Sequence, residues 1–250
     1  MSTLHRHFES IGSTNEEAKA WARNASTPAP HGAIVSAAEQ TSGRGRRGRD
    51  WVSPAGKGVY LSIVWRPKIA PPQIGQLTIV TALAGARALK EISGLNIDTK
   101  WPNDLLYQRK KIGGILCEAE IRNGEIEFVV AGVGLNANFA PEDLPKRLVF
   151  PATSLLMATG KPFSTAALQS ACIQALHAEY ARYDSGNWST QRAEFIRRCA
   201  IIGEHVFVRD EQQEYSGIAT NIDNDGILII QTATETRRVL SGDVSFEKQN

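Results

Sequence analysis

Two apolar segments separated by an Asn-Gly dipeptide constrain the fold of this chain more than any other feature. Residues 112–120 and 126–135 are rich in isoleucine, leucine and valine, and Asn123-Gly124 lies between them. Asn-Gly is the preferred pair for a two-residue type I′ turn, in which both residues take positive φ. The pattern therefore predicts two long strands paired as an antiparallel hairpin.

Further elements predicted from periodicity place this hairpin in a mixed α/β chain. Strands are predicted over 33–37, 59–65 and 96–100, and helices over 74–92, 165–183 and 191–199. Thr14 and Glu17 fit a capping box, which predicts that another helix begins there. From Gly203 onward, short apolar segments alternate with turn residues, a rhythm typical of a small β-barrel. We therefore expect two domains, residues 1–200 and 201–250.

Residues 43–49 form an unusual basic segment, Gly-Arg-Gly-Arg-Arg-Gly-Arg, which we call the Arg loop. It contains G-x-G-x-x-G, but the dinucleotide-binding form of that pattern follows a hydrophobic strand, opens a helix and has an acid about 20 residues later. Here a polar segment precedes it, and no Asp or Glu occurs between Trp51 and Lys90. The Arg loop is therefore predicted to connect two strands. Its guanidinium groups indicate an anionic ligand, either a polyphosphate or RNA.

Composition favours an enzyme over a general nucleic-acid binder. Lys and Arg number 28 against 26 acids, a formal net charge of +2, so the basic excess is local. The odd number of cysteines, three without C-x-x-C spacing, indicates a reducing cytoplasm. No signal peptide and no apolar segment of membrane-spanning length is present, so we expect neither export nor membrane insertion.

Several motifs, in a fixed order along the chain, resemble those of the biotin protein ligase family. They are Ser13-Thr14-Asn15, Gln40, the Arg loop followed by Trp51, Lys100-Trp101-Pro102-Asn103-Asp104, Lys111 with Gly114-Ile115-Leu116, and Gly132-Val133-Gly134-Leu135-Asn136. Enzymes of that family adenylate biotin with ATP and pass it to a lysine of a carboxylase carrier domain. The resemblance implies an α+β fold, in which a class II synthetase-like mixed sheet with helices is followed by a small SH3-like barrel.

The resemblance also implies a role for each matched residue. Catalysis is expected from Lys111, Arg44 and Lys100. Biotin binding is expected from Ser13, Thr14, Asn15, Gln40, Arg44, Arg46, Lys111, Gly114, Gly132 and Gly134, and ATP binding from Arg46, Arg47, Arg49, Trp51, Lys100 and Asn136. Asp104 is a candidate Mg²⁺ ligand, with a turn cap as the alternative. Other structural alternatives stay open: a helix cap at Thr14, a surface lysine run at Lys111 and a strand bulge at the glycines.

Partners and competing functions follow from the same resemblance. We expect biotin, ATP with Mg²⁺, and a biotin carboxyl carrier protein as ligands of a monomer or homodimer. Some family members carry an N-terminal winged-helix domain; the match here begins near residue 8, so no repressor function and no specific nucleic-acid partner are expected. The alternatives are a lipoate ligase or octanoyltransferase of the same fold, and an RNA-binding module that would explain the Arg loop alone. Cys117, inside an apolar strand, is expected to be a buried small hydrophobe.

Overall fold

The computed structural model describes residues 4–145, 150–210 and 213–246. Seven strands in the first part of the chain form one mixed sheet in the order β1-β2-β3-β7-β6-β5-β4. Their bounds are β1 His5–Ile11, β2 Ile34–Gln40, β3 Gly58–Trp65, β4 Asp98–Lys100, β5 Asp104–Tyr107, β6 Lys110–Arg122 and β7 Glu125–Asn136. Only β1 and β2 run parallel; the other neighbours are antiparallel.

Helices cover both faces of this sheet. They are α1 Thr14–Arg23, α2 Ile74–Ser93, α3 Leu155–Thr159, α4 Thr165–Asp184 and α5 Trp188–Arg198. The β3 strand is buried along its whole length because alternate residues serve two cores: Ile63 and Trp65 pack with α2 and α4, whereas Val64 packs with α1. The described helices contain no segment long and apolar enough to cross a membrane.

The predicted central hairpin is confirmed. Strands β6 and β7 pair from Gly113–Leu135 to Arg122–Glu125, and Asn123 and Gly124 take φ of 53° and 81°. The helix predicted over 74–92 is also confirmed, and it ends at Gly94, whose φ of 74° is the left-handed value that favours glycine at this position. The Arg loop connects β2 to β3, as its sequence context predicted.

The predicted capping box at Thr14 is wrong. The N-cap of α1 is Ser13, and its side chain makes no capping hydrogen bond. Thr14 is the first helical residue, and its hydroxyl donates to the side-chain carbonyl of Gln40 at 3.0 Å. Ser62 of β3 donates to the same hydroxyl at 2.8 Å. Thr14 therefore connects α1 to β2 and β3 and does not cap the helix.

The last five strands form a separate antiparallel sheet in the order β11-β10-β9-β8-β12, which we call the C-terminal sheet. Its strands are β8 His205–Arg209, β9 Glu214–Ile222, β10 Leu228–Gln231, β11 Thr236–Val239 and β12 Asp243–Ser245. Buried apolar side chains from this sheet, such as Val206 and Leu228, join the core cluster that also contains α2 and α4. The boundary between residues 200 and 201 stays a prediction.

Candidate active site

A cavity of about 560 Å³ lies on the α1 side of the large sheet, between the Arg loop, strands β6 and β7, and β12 of the C-terminal sheet. Most of the residues predicted from motifs line it. They are Ser13, Thr14, Asn15, Gln40, Arg44, Arg46, Arg49, Trp51, Lys100, Asp104, Lys111, Gly114, Gly132, Gly134 and Asn136. Segments separated by more than a hundred residues therefore meet at one concave site, and this is the default geometry of a ligand site.

The floor of the cavity is made by glycines on two neighbouring strands. Gly114 of β6 pairs with Gly134 of β7, and the indole of Trp51 lies against both. A Cβ at Gly134 would overlap the Trp51 ring, and a Cβ at Gly132 would overlap the side-chain amide of Asn15. The strand glycines thus provide room for two side chains of the site, a role that the sequence alone did not specify.

One end of the cavity is lined by the uncharged side chains of Thr14, Asn15 and Gln40, which are held in a hydrogen-bonding network. Gln40 accepts from the backbone N–H and the hydroxyl of Thr14 through Oε1, and its Nε2 donates to Ser53 at 2.9 Å. Ser62 on β3 donates to the Oδ1 of Asn15 at 2.6 Å. The Nδ2 of Asn15 donates to the Glu118 carboxylate at 2.7 Å. These partners fix the amide orientations, because each oxygen faces donors and each NH₂ faces acceptors.

The other end of the cavity carries a buried cationic cluster around Asp104. The Asp104 carboxylate lies 2.6 Å from the Nζ of Lys111 and 3.6 Å from the Nζ of Lys100. Burial alone would raise the pKa of Asp104, but the two ammonium groups hold it below its ordinary value. Burial lowers the pKa of Lys100, and Asp104 opposes that shift. One carboxylate therefore stabilises two lysines that would otherwise repel each other in a poorly solvated site.

The described residues contain no group of three or more His, Cys, Asp or Glu side chains that could hold a metal ion. Asp104 is the predicted Mg²⁺ ligand, and in this arrangement its oxygens face lysines. A single carboxylate is still compatible with Mg²⁺, which is commonly bound through one or two carboxylates together with substrate phosphates and water. Such a metal would arrive with the nucleotide and would not require a protein cage.

The Arg loop lines the cavity and is paired at both ends with carboxylates. Arg44 donates to Glu16 of α1 at 2.7 Å, and Arg49 pairs with Asp243 of β12, where Nη1 lies 3.1 Å from Oδ1. Arg46 is more deeply buried and contacts the carbonyl of Gly242 at 3.4 Å. Arg47, with φ of 55°, is not among the lining residues; its guanidinium faces the C-terminal sheet, 3.7 Å from Asp243.

Asn136, predicted to contact ATP, lies at the end of β7 with its amide already engaged. Its Nδ2 donates to the carbonyl of Thr153 at 3.0 Å. The neighbouring Asn103 similarly donates to the carbonyl of Ile115 at 2.7 Å. In both residues the side-chain NH₂ binds a backbone carbonyl of another segment, and the side-chain oxygen is left to accept from a ligand.

Ser62, Asp243 and Phe150 are among the residues at the site that the motif argument missed. Ser62 is fully buried between Leu61 and Ile63, and a polar residue within an apolar strand is a signal that it must have a specific partner. Asp243 and Phe150 line the cavity from distant parts of the chain, and their neighbouring sequence carries no comparable signal. Cys117 faces away from the cavity towards Thr81 of α2, and burial raises its pKa to about 11.

Comparison with known proteins decides the family. The model of the biotin/lipoate A/B protein ligase family matches residues 7–136, and that of the biotin protein ligase C-terminal domain matches residues 201–247. The chain belongs to the biotin protein ligases of this family. The C-terminal match favours biotin ligases over the lipoate ligase and octanoyltransferase alternative.

Individual relatives agree with this family. The chain is 32% identical to the bifunctional ligase/repressor BirA of Bacillus subtilis, over 96% of this chain and 73% of that protein. It is 32% identical to the biotin–[acetyl-CoA-carboxylase] ligase of Paracoccus denitrificans, over 86% of this chain and 90% of that one. The biotin protein ligase of Aquifex aeolicus in complex with biotin and ATP superposes with a TM-score of 0.80 at 26% identity, covering 98% of both chains. The predicted family and the predicted α+β fold class are therefore confirmed.

Proposed function

We propose that this protein is an ATP-dependent biotin–protein ligase whose acceptor is a lysine of a biotin carboxyl carrier protein. In the first half-reaction a carboxylate oxygen of biotin attacks the α-phosphorus of ATP, forming biotinyl-5′-AMP and releasing pyrophosphate. In the second, the neutral amine of the acceptor lysine attacks the anhydride carbonyl, forming an amide and releasing AMP. The observation that carries the proposal is one cavity with a neutral polar end and a cationic end.

The two ends suit the two parts of the substrate. The ureido head of biotin needs both donors and acceptors in a dry pocket, and Thr14, Asn15 and Gln40 carry both kinds of group in orientations fixed by their own hydrogen bonds. The biotin carboxylate and the triphosphate both carry negative charge, so their approach requires positive groups that are already in place. Lys100, Lys111 and Arg46 would supply that charge without reorganising.

Lys111 is assigned the central electrostatic role. Its Nζ is held by Asp104 and lies 5.3 Å from the Trp51 ring, beside the glycine floor. A cation there would stabilise charge as the carboxylate attacks in the first step and as AMP leaves in the second. Asp104 acts through Lys111 and Lys100 by fixing their positions. When bound with the triphosphate, Mg²⁺ would neutralise phosphate charge, and Asp104 would be its ligand from the protein.

Arg46, Arg47, Arg49 and Trp51 are assigned the nucleotide side of the site, and Arg44 the biotin carboxylate. Arg44 and Arg49 are partly exposed and paired with carboxylates, so an incoming anion can take over either guanidinium. Closure of the loop over the adenylate would keep water from a reactive mixed anhydride. Its glycines allow the close backbone approach that such closure requires.

The remaining expectations concern the setting of the enzyme. We propose a cytoplasmic location, which the three free cysteines support because reducing compartments keep thiols unpaired. A monomer or a homodimer is compatible with the proposed reaction. The RNA-binding alternative accounts for the Arg loop but gives no purpose to the buried cluster of Lys100, Asp104 and Lys111.

One assay tests the proposed function. The protein is incubated with ATP, Mg²⁺ and either biotin or lipoate, and pyrophosphate release is measured. A biotin carboxyl carrier domain is then added, with a variant whose acceptor lysine is replaced by arginine as the control. We expect pyrophosphate with biotin and labelling of the wild-type carrier only. Activity with lipoate and none with biotin would refute the proposal.

A further inference from the structure

The turn between β9 and β10 of the C-terminal sheet, residues 223–226, makes an unusually close contact with the start of α2. A Cβ at Gly75 would lie 2.9 Å from the carbonyl oxygen of Asp225, and a Cβ at Gly226 would lie 2.7 Å from the carbonyl carbon of Gly75. Both positions therefore require glycine, because the two backbones touch directly. We call this contact the clasp.

Three side-chain N–H donors from outside the C-terminal sheet bind the backbone carbonyls of this turn. Trp101 donates from Nε1 to Gly226 at 3.0 Å, while Gln76 and Trp188 donate to Asn224 at 2.7 and 2.8 Å. Trp101 is 4% exposed, so its hydrogen bond is shielded from water. Without that donor the buried carbonyl of Gly226 would lose this hydrogen bond. Such a loss costs more free energy than the loss of a solvent-exposed hydrogen bond.

The same C-terminal sheet also meets the Arg loop. Asp243 pairs with Arg49, and the carbonyls of Gly242 and Arg209 face the guanidinium groups of Arg46 and Arg47. These contacts are more exposed than the clasp. Exposed ion pairs contribute little to stability when the two segments that they join are free to move. Their geometry therefore depends on how firmly the C-terminal sheet is held elsewhere.

The sheet can carry such a constraint from one end to the other. The clasp turn leaves β9, which pairs with β8, and β8 pairs with β12, where Asp243 lies. Val208, Ile222 and Val244 from these strands are all buried in the common core. Displacement of the turn would thus move Asp243 with it, as part of one hydrogen-bonded sheet.

We propose that Trp101 is a positioning residue for the nucleotide step, acting through the clasp to set Asp243 against the Arg loop. Trp101 follows Lys100 and precedes Asn103 and Asp104, so the same short segment carries both the phosphate-facing lysine and the donor that orients the C-terminal sheet. This inference rests on the proposed function for its kinetic consequence. Its structural consequence, the position of the Arg loop, is independent of that function.

Trp101→Phe tests the proposal, because it keeps an aromatic ring in the core and removes the Nε1–H donor. We expect trypsin to cut the ligand-free variant after Arg47 and Arg49 at least about threefold faster than wild type, because a loosened clasp releases the loop. We also expect the KM for ATP to rise about fivefold, the effect of one lost hydrogen bond, with biotin affinity unchanged. Phe128→Leu, in the separate α1 core, is the control for general destabilisation and should leave both values near wild type.

A double variant separates this role from a merely structural one. If Trp101 acts through Asp243, adding Asp243→Asn to Trp101→Phe should change cleavage and KM by no more than Asp243→Asn alone changes them. Should Trp101→Phe fail to fold, Trp188→Phe removes another donor of the clasp and serves the same test. Wild-type cleavage rates, or additive effects in the double variant, would overturn the proposal. Absence of biotin activity in wild type would refute the function and leave the cleavage test intact.

Discussion

At the scale of single residues, the side chain of Asn15 restricts position 132 to glycine. A Cβ at position 132 would overlap the Asn15 side chain, which is 4% exposed and bound to both Ser62 and Glu118. We predict that Gly132→Ala lowers biotin affinity at least about tenfold, since Asn15 must leave its place and well-packed sites tolerate little added volume. Isothermal titration with biotin measures this.

Gly12 offers a matched control for that substitution. Nothing lies within 4 Å of a Cβ built at Gly12, and its φ is not in the left-handed range. Gly12→Ala should therefore bind biotin as wild type does. Equal affinities for Gly12→Ala and Gly132→Ala would show that Asn15 is not needed in its present place.

Lys111 is the residue on which the chemistry depends most. We predict that Lys111→Ala lowers the rate of biotinyl-adenylate formation on the order of a hundredfold, because it removes a preorganised charge from the reacting centre. Pyrophosphate release under single-turnover conditions measures that rate. Lys110→Ala is the control, because Lys110 is its exposed neighbour in the same strand. A Lys111→Ala enzyme as fast as the Lys110→Ala enzyme would remove Lys111 from the mechanism.

Site residues that stand in chemically distinctive motifs were predictable from the sequence. Residues that only hold those side chains in place were not. Lys111 and Gly134 stand in recognisable motifs, and both line the cavity. Ser62 holds Asn15 and Asp243 holds Arg49, through contacts that bridge 47 and 194 positions of the chain. Contacts over such separations depend on the finished topology, and a single sequence carries little local information about them.

At the scale of elements, the Arg loop is tied down by side chains more than by packing. Its two end contacts, with Glu16 and Asp243, are ion pairs of partly exposed groups. We predict that trypsin cuts ligand-free protein preferentially between Arg44 and Arg49, and that biotin with ATP slows this cleavage. Mass spectrometry of the fragments over time gives the rates. Cleavage after Arg197, which lies on helix α5 and does not line the cavity, is the internal control and should not respond to the ligands.

Strands β1 and β5 show why some elements escaped prediction. The exposed side chains of β1 lack apolar alternation. Its parallel partner β2 follows only after helix α1, so no hairpin turn signals the pairing. The β5 strand has only four residues between two turns. By contrast, β6 and β7 carry long apolar runs and an Asn-Gly turn, and these local signals were sufficient. Length and local pairing decided which strands could be predicted.

At the scale of the whole molecule, stability should depend on pH near neutrality. Partial burial lowers the pKa of His5, His31 and His177 below the ordinary value of 6.5. At His31, Asp184 opposes this shift, and His177 and Arg66 add to it. A base whose pKa is lowered by folding binds fewer protons in the native state. Stability is therefore fully present above pH 6.5 and is lost as the pH falls below that value.

We predict a lower urea midpoint at pH 5.5 than at pH 7.5, in a range where most carboxylates remain ionised. His177→Asn should reduce the difference between the two midpoints, because it removes one half-buried imidazole whose pKa burial lowers. Identical midpoints for wild type at both pH values would contradict this assignment. The prediction concerns folding and is independent of the reaction.

The carboxylate pairing of the Arg loop has a consequence for ionic strength. Because Arg44 and Arg49 already hold Glu16 and Asp243, an arriving anion exchanges one set of ion pairs for another, and few free counterions are released. Association with a bare arginine cluster would weaken steeply with added salt. We predict that the logarithm of the Kd for ATP changes with the logarithm of salt concentration by a slope of magnitude below about 1, and that Glu16→Gln with Asp243→Asn steepens it. Glu16 and Asp243 thus act as built-in counterions, which a bound anion replaces at the two arginines. The site therefore responds to the shape of its ligand more than to its charge alone.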